Sequence, residues 1–364
     1  MAVETASSKP PLRTLALIAA EADRRRAVVL AALCLLTVVS TFLSILIGPA
    51  NVDISDILGG VTATLGLSDK TTPGEAIVSA IRLPRTVLTL SVGLALGISG
   101  AALQGLFRNP LVDPQLIGVS AGGALGAATW IVFGASLPAI PLLLSSVMTA
   151  VMAFIGSLAA MAAVYTIGTR RGRVNVATML LAGIAVNALA ASGLGLMLFL
   201  SDDFQLRAIT FWTLGSVGGA SWAKIMPALA VMIVLPLWLV RECEALNLFG
   251  IGEDEARHLG CDTAKLKRRM VVLPAIITAA AVSVSGIIGF IGLVAPHLVR
   301  LLAGSDNRIV LPGSALLGAS LLLIADIVAR TVAAPAELPL GVVTSLIGAP
   351  FFIWLLSRQR AWLA

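Results

Sequence analysis

Residues 27–48, AVVLAALCLLTVVSTFLSILIG, form an apolar run without a single charged side chain. A helix needs about 20 mostly apolar residues to cross the hydrocarbon core of a bilayer, so this stretch predicts a membrane span. Arg24, Arg25 and Arg26 precede it, as in the basic segment of a secretory signal. The run is long for a signal and no clean cleavage site follows it. We therefore predict a retained first span, preceded by a polar cytoplasmic tail at residues 1–26.

The rest of the chain has the same character. It is 58% hydrophobic and 12% charged, with a mean hydropathy of +0.99, whereas soluble domains carry about 25% charged residues. Its 34 glycines suit helices that pack closely in lipid. We predict an all-α polytopic membrane protein whose residues 27–360 form one domain of ten spans. The nine further spans lie near residues 84–107, 115–134, 141–168, 176–200, 222–240, 270–286, 288–303, 309–330 and 339–357. A broken or re-entrant turn is predicted at Ser285–Pro296, which is rich in glycine.

The basic residues orient these spans. Ten spans place both termini on one side, and a cytoplasmic N-terminus leaves six of the 25 lysines and arginines outside. Those six are Lys70, Arg82, Arg85, Arg207, Lys224 and Arg330. Lysine and arginine resist translocation during insertion, so both termini are predicted to be cytoplasmic. This topology also accounts for the formal charge of +6 without any nucleic acid.

Almost every Asp and Glu lies outside the predicted spans, in a loop or tail. The main exception is Asp326, which we interpret as a local ion pair with Arg330 four residues later. Proton coupling or intramembrane catalysis normally requires ionisable groups in mid-span, so their scarcity argues against a proton-coupled secondary transporter or an intramembrane protease.

The sequence offers no ladder of metal or haem ligands. His258 and His297 are the two histidines, and Tyr165 is the one tyrosine. Met179 and Met197 are interpreted as packing side chains. Cys34, Cys243 and Cys261 have no metal-binding or disulfide spacing, so unpaired thiols are predicted. We expect no metal site and no cofactor bound by this chain.

Two further patterns concern nucleotide binding and packing. No G-x-x-x-x-G-K-[ST] loop occurs, so the chain is not expected to hydrolyse ATP. Small-xxx-small pairs at Gly93/Gly97, Gly118/Gly122 and Gly122/Gly126 predict close packing of the second and third spans.

The longest predicted cytoplasmic loop runs from Arg241 to Arg269. Its centre has an acidic start, a basic middle and a terminal glycine, which predicts a short helix. The residues are Gly252, Glu253, Asp254, Glu255, Ala256, Arg257, His258, Leu259 and Gly260. A solvated connector is one interpretation of this segment, and a docking surface for a soluble motor is the other.

Several motifs extend over nearly the whole chain after residue 27. They are Ile81–Arg85 (IRLPR), Gly105–Leu111 (GLFRNPL) leading to Gly118–Ser120, Leu180–Gly183, Gly289–His297 (GFIGLVAPH), Ala325–Arg330 (ADIVAR) and Pro335–Gly341 (PAELPLG). In this order the chain resembles the permease subunits of ATP-binding-cassette importers for ferric siderophores, haem and vitamin B12, the FecCD-like type II importers.

The resemblance implies an assembly in the bacterial inner membrane. Two copies of the chain, two ATPase subunits that bind ATP and magnesium, and a periplasmic substrate-binding protein are expected. A coupling loop near residues 250–268, with the nine residues above, would dock on the ATPase. Arg82, Arg85 and Arg330 would face outward and pair with acidic groups of the binding protein.

The resemblance also places the gate and the path. Asn175, Val176 and Ala177 match a cytoplasmic gate, although the B12 permease usually has small polar residues at the positions of Val176 and Ala177. The fifth span would line the translocation path, with Leu196, Met197 and Leu200 as candidates.

The cargo is predicted from the resemblance of individual segments to particular permeases of this family. Arg108, Ser201–Arg207 and Leu338–Gly348 look closer to haem permeases than to the B12 permease. Haem is therefore the predicted cargo, with ferric siderophore as the main alternative and vitamin B12 as a weaker one. A secondary transporter or a non-transporting membrane scaffold are the other classes, and co-purification with an ATPase subunit would separate them.

Overall fold

The computed structural model describes residues 12–69, 72–134, 142–170 and 173–360. Fifteen α-helices make up nearly all of this part of the chain. They are α1 (Leu12–Leu46), α2 (Ile54–Thr64), α3 (Pro73–Ile77), α4 (Leu83–Phe107), α5 (Val119–Phe133), α6 (Leu142–Gly168), α7 (Val176–Leu200), α8 (Asp203–Thr213), α9 (Trp222–Arg241), α10 (Cys243–Ile251), α11 (Glu253–His258), α12 (Thr263–Ser285), α13 (Ile291–Ala303), α14 (Asn307–Thr331) and α15 (Leu340–Arg360). The all-α class is confirmed, with one small addition: strands β1 (Thr169–Arg170) and β2 (Arg173–Val174) form an antiparallel hairpin.

Each of the ten predicted spans coincides with a helix. Within the described residues, seven helices are long and apolar enough to cross a membrane, while α5, α13 and α15 contribute shorter apolar segments. The central helices α4, α12 and α14 are mostly buried by protein, whereas fewer than a third of the residues in the spans of α1, α6, α7 and α9 are buried and part of their apolar side chains are exposed. In a bilayer those exposed side chains are available to lipid, because hydrocarbon is as apolar as they are.

Two helices begin ahead of the spans predicted from the sequence. The segment predicted as a polar tail at 1–26 is helical from Leu12 onward, since its alanines and leucines favour helix; residues 1–11 lie outside the described part. Helix α12 begins at Thr263, ahead of the predicted residue 270, because Asp262 caps it by accepting a 3.0 Å hydrogen bond from the Lys265 amide.

Glycines set the closest helix contacts. The glycine pairs do pack tightly, as predicted, but against other helices than expected from their order. A Cβ on Gly97 of α4 would collide with the Ser314 carbonyl of α14, and one on Gly126 of α5 would collide with the Met152 carbonyl of α6. These backbones can therefore approach only through glycine.

The predicted broken turn is confirmed but is shorter than expected. Helix α12 ends at Ser285, and Gly286 (φ +68°) and Phe290 (φ +67°) have left-handed backbone conformations before α13 begins at Ile291. Pro296, predicted to belong to the turn, lies inside α13. Non-helical backbone at this depth requires protein partners. One is present, because the Ser216 amide donates a 2.8 Å hydrogen bond to the Ser285 carbonyl.

Candidate functional site

Two groups of residues joined by polar contacts lie at opposite ends of the helices. We call the group at the predicted periplasmic end the outer cluster; it consists of Arg82, Arg85, Asp326, Arg330 and Glu337. We call the group at the predicted cytoplasmic end the inner junction; it consists of Val174, Asn175, Glu253 and Lys267.

The outer cluster fastens the end of α1 to its neighbours. The Arg82 guanidinium donates hydrogen bonds to the carbonyls of Ile45 (2.5 Å), Leu46 (2.7 Å) and Ala50. Arg330 donates one of 2.6 Å to the Ser44 carbonyl. The last carbonyls of a helix have no partner within the helix, and a cation there also interacts favourably with the helix dipole.

Arg85 lies between two carboxylates. Its Nη2 donates to Asp326 Oδ1 at 2.9 Å and its Nη1 donates to Glu337 Oε1 at 2.7 Å. Asp326 is fully buried, whereas the Glu337 side chain is 42% exposed. The predicted Asp326–Arg330 pair is present at 3.5 Å, but the hydrogen bonds of Asp326 go to Arg85 on α4.

This geometry contradicts the expectation that Arg82, Arg85 and Arg330 project from the outer rim. All three residues are buried, with at most 9% of each exposed. Their guanidinium groups have partners inside the subunit because the end of α1 and the carboxylate of Asp326 would otherwise be left without hydrogen bonds. Glu337 is the member of the outer cluster that remains partly open to solvent.

At the other end of the molecule, the predicted short helix between glycines is confirmed. Helix α11 spans Glu253–His258, with Gly252 before it and Gly260 (φ +86°) after it. Ala256 faces the protein, while Asp254, Glu255, Arg257, His258 and Leu259 are exposed. An exposed helix with acidic and basic groups at the predicted cytoplasmic end is a surface that a soluble protein can contact.

The predicted gate residues lie next to this helix. Asn175 caps α7 by accepting a 3.0 Å hydrogen bond from the Thr178 amide, and Ala177 is exposed. A groove of about 700 Å³ separates the two elements; its lining includes Val174, Asn175, Glu253, Arg257 and Lys267.

Lys267 connects the two sides of this groove. Its ammonium donates hydrogen bonds to Glu253 Oε1 of α11 at 2.6 Å and to the Val174 carbonyl at 3.4 Å. Burial of Glu253 raises the pKa of this carboxyl, but the hydrogen bond from Lys267 and the charges of Lys267, Arg257 and Arg108 outweigh it, so the pKa lies below its usual value. The carboxylate therefore stays ionised and paired at neutral pH.

The three path candidates on α7 point in different directions. Leu196 and Leu200 are exposed, as a path-lining or lipid-facing residue would be. Met197 instead packs in a cluster with Ala128, Val132 and Ile209, which contradicts its placement on the path. The 3.6-residue helical period turns residue 197 away from the face of residues 196 and 200.

An apolar cavity of about 570 Å³ adjoins the broken turn. Gln115, Leu214, Phe290, Gly341, Ser345 and Pro350 are among its lining residues. In the part of the chain that the structure describes, no group of three or more His, Cys, Asp or Glu residues could hold a metal ion. The polar side chains that line this cavity are those of Gln115, Thr213 and Ser345.

Several inner contacts were missed by sequence reasoning. Lys267 looked like one of four basic residues in a cytoplasmic stretch, and nothing in the sequence separated it from Lys265. Arg108, noted for its motif, lies with its guanidinium carbon 4.6 Å from the centre of the Phe249 ring and donates to the Phe249 carbonyl. Only the fold brings these elements together.

Comparison with known proteins decides the family. Residues 36–358 match the FecCD transport family. The chain belongs to that family. It is a membrane-spanning permease subunit of an ABC importer, and in this family the ATPase is a separate subunit.

Relatives within the FecCD family differ in their named cargo. The chain is 49% identical over 280 residues to the hemin transport system permease HmuU of Yersinia pestis, covering 77% of this chain and 83% of that one. It is 43% identical over 286 residues to the cobalamin import system permease BtuC of Halobacterium salinarum, covering 79% and 74%. A solved structure described as a metal-chelate type ABC transporter in an inward-facing conformation is 31% identical, with a TM-score of 0.78 over 90% of this chain and 98% of that one.

Proposed function

We propose that this FecCD-family permease imports haem across a bacterial inner membrane. It would act as a homodimer with two ATPase subunits and a periplasmic binding protein, and it would hold no cofactor of its own. The observation that carries the cargo is the 49% identity to the hemin permease over 280 residues.

The cavity beside the broken turn is open at the surface of the subunit and is compatible with a large, mostly apolar chelate. The cavity beside the broken turn is lined mainly by apolar side chains and backbone, with few polar groups such as those of Gln115 and Ser345. Its size and character are those of sites for organic ligands. An unshielded ion would require charged or metal-ligating groups there, whereas a chelate carries its own ligands.

Cobalamin is the second candidate. A vitamin B12 permease of Salmonella typhimurium is 37% identical over 342 residues, and the match covers 94% of this chain and 98% of that one. The B12 permease is therefore less identical to this chain than the hemin permease is, but its match covers more of both chains. Ferric siderophores remain the third candidate, because they share the size and the shielded metal of the other two.

Uptake by the source bacterium tests the cargo. A strain lacking this chain should fail to grow with haemin as the only iron source, yet grow normally on ferrous iron. Growth on a ferric siderophore and uptake of radiolabelled cyanocobalamin should be unchanged. Normal haemin-dependent growth together with loss of cobalamin or siderophore uptake would instead assign one of those cargoes.

A further inference from the structure

We propose that Lys267 is a positioning residue that transmits movement of α11 to the start of α7. The inference rests on the proposed ATP-driven import, and it assigns the link between the predicted docking helix and the predicted gate to one side chain. Lys267 lies in the first turns of α12, and its side chain is only 9% exposed.

The two partners of Lys267 belong to different elements, α11 and β2. Glu253 is the first residue of α11, and its Oε1 lies 2.6 Å from the lysine Nζ. Val174 is the last residue of β2, and its carbonyl lies 3.4 Å from the same nitrogen. The chain continues directly from Val174 to Asn175, the capping residue of α7.

Hydrogen bonds of the β1–β2 hairpin connect the start of α7 to the end of α6. β1 and β2 pair residue by residue, and the Asn175 amide donates a 2.9 Å hydrogen bond to the Gly168 carbonyl at the end of α6. A shift of the Val174 carbonyl therefore displaces the cap of α7 together with the hairpin.

The charge of Lys267 holds its side chain between its two partners. A nearly buried ammonium requires compensating partners, and here they are one carboxylate and one carbonyl. If α11 moves, the ammonium follows the Glu253 carboxylate, whose side chain is 37% exposed, because the nearly buried lysine charge would otherwise lose its ionic partner. Lys265, two residues earlier, is 66% exposed and pairs with Asp262 on its own turn at 2.9 Å, so it connects no second element.

A cysteine at the gate gives a readout that does not depend on the cargo. Cys34, Cys243 and Cys261 are replaced by serine, Ala177→Cys is introduced, and the chain is purified with its ATPase in nanodiscs. The rate of modification by a charged maleimide is measured with and without Mg-ATP and vanadate. In the parent complex we expect ATP to change this rate by about 5-fold or more, the lower range of typical coupling between sites.

The variants then test the link. Lys267→Met keeps the stem but removes the charge, and it should abolish the ATP-dependent change while ATP hydrolysis continues. Lys265→Met is the matched control and should retain the change, and Lys267→Arg should restore much of it. If the Met variant does not assemble, the double variant Glu253→Met with Lys267→Met replaces the pair without leaving an unpaired charge.

The outcomes separate this inference from the proposed function. A full ATP response in Lys267→Met or in the double variant would overturn the role of Lys267 while leaving ATP-driven import intact. Failure of both to assemble would show a purely structural pair and would also overturn it. Absence of any ATP response in the parent would overturn the inference and the proposed function together, whereas a response in the parent with no haemin uptake would overturn only the cargo.

Discussion

At the scale of single residues, burial decides what a charge does. Arg85 and Asp326 come from α4 and α14, and their pairing places a salt bridge inside the helix bundle. The same arginine also binds Glu337, whose side chain is 42% exposed. One guanidinium thus holds two carboxylates in very different surroundings, and this contrast can be measured.

We expect Asp326→Asn to destabilise the subunit far more than Glu337→Gln. Removing one partner of a buried pair costs about 3–5 kcal/mol, and here the change leaves Arg85 with the partly exposed Glu337 and deprives the buried Arg330 of its ion pair with Asp326. Removing a partly exposed partner costs about 0–1 kcal/mol. Thermal unfolding in detergent should therefore show a much lower Tm for the first variant and a nearly unchanged Tm for the second. Equal shifts would contradict the buried network.

The same residues show where sequence reasoning stopped. The sequence indicated that Arg82, Arg85 and Arg330 lie at the outer ends of spans, and they do cluster at one end in the structure. It could not show that the end of α1 carries free carbonyls that these guanidinium groups satisfy. That information depends on which helices are neighbours, which no local pattern contains.

At the scale of elements, the apolar helices were predictable, whereas most of the short connecting elements were not. Seven of the described helices are long and apolar enough to cross a bilayer and α5, α13 and α15 are shorter apolar helices, and hydropathy locates all ten. Helix α11 was also predicted, because its glycines and its order of charges mark both ends. By contrast, α2, α8 and the β1–β2 hairpin lie in connections with no strong periodic signal, and the structure alone places them.

Charge reversal on α11 should weaken association with the ATPase. Asp254 and Glu255 are both exposed, and the Asp254 side chain is 81% exposed, so Asp254→Lys with Glu255→Lys should not disturb folding. Exposed pairs contribute about 0–1 kcal/mol each, so the double change should lower affinity by about 10-fold. Co-purification with the ATPase, and binding of the ATPase to immobilised permease at several salt concentrations, measure this effect.

A matched pair of reversals serves as the control for that experiment. Asp69→Lys with Asp203→Lys changes the charge by the same amount on the predicted periplasmic side, where Asp69 lies in a loop and Asp203 is the first residue of α8, and both residues are exposed. These substitutions should leave association and its salt dependence unchanged. If both double variants bind the ATPase like the parent, α11 is a connector between α10 and α12 and does not dock the motor.

At the scale of the whole molecule, the structure brings together what the predicted topology assigns to one side. Arg25 at the start of the first span donates a 2.8 Å hydrogen bond to the Leu302 carbonyl at the end of α13. Arg26 pairs with Asp306 before α14 at 2.7 Å, and Asn247 of α10 donates to the same aspartate at 2.7 Å. Three segments predicted to be cytoplasmic therefore meet, although they are far apart in sequence.

This arrangement predicts which loops a membrane-impermeant reagent can reach from each side of the membrane. In a chain whose own cysteines are replaced by serine, Ser305→Cys should react with a membrane-impermeant maleimide only from the cytoplasmic side. Ala336→Cys should react only from the periplasmic side. Both residues are exposed in the structure and belong to loops at opposite ends of α14. Whole cells and inverted membrane vesicles provide the two directions of access.

The physical reason for this expectation is the distribution of charge. Lysine and arginine near span ends resist translocation, and the segments that meet around Asp306 contain Arg25, Arg26 and Arg308. If Ser305→Cys reacted only from the periplasmic side and Ala336→Cys only from the cytoplasmic side, both termini would lie in the periplasm and every assignment of side would be inverted. If both cysteines reacted from the same side, α14 would not cross the bilayer. The length of α14, 25 residues, and its apolar composition argue against that outcome.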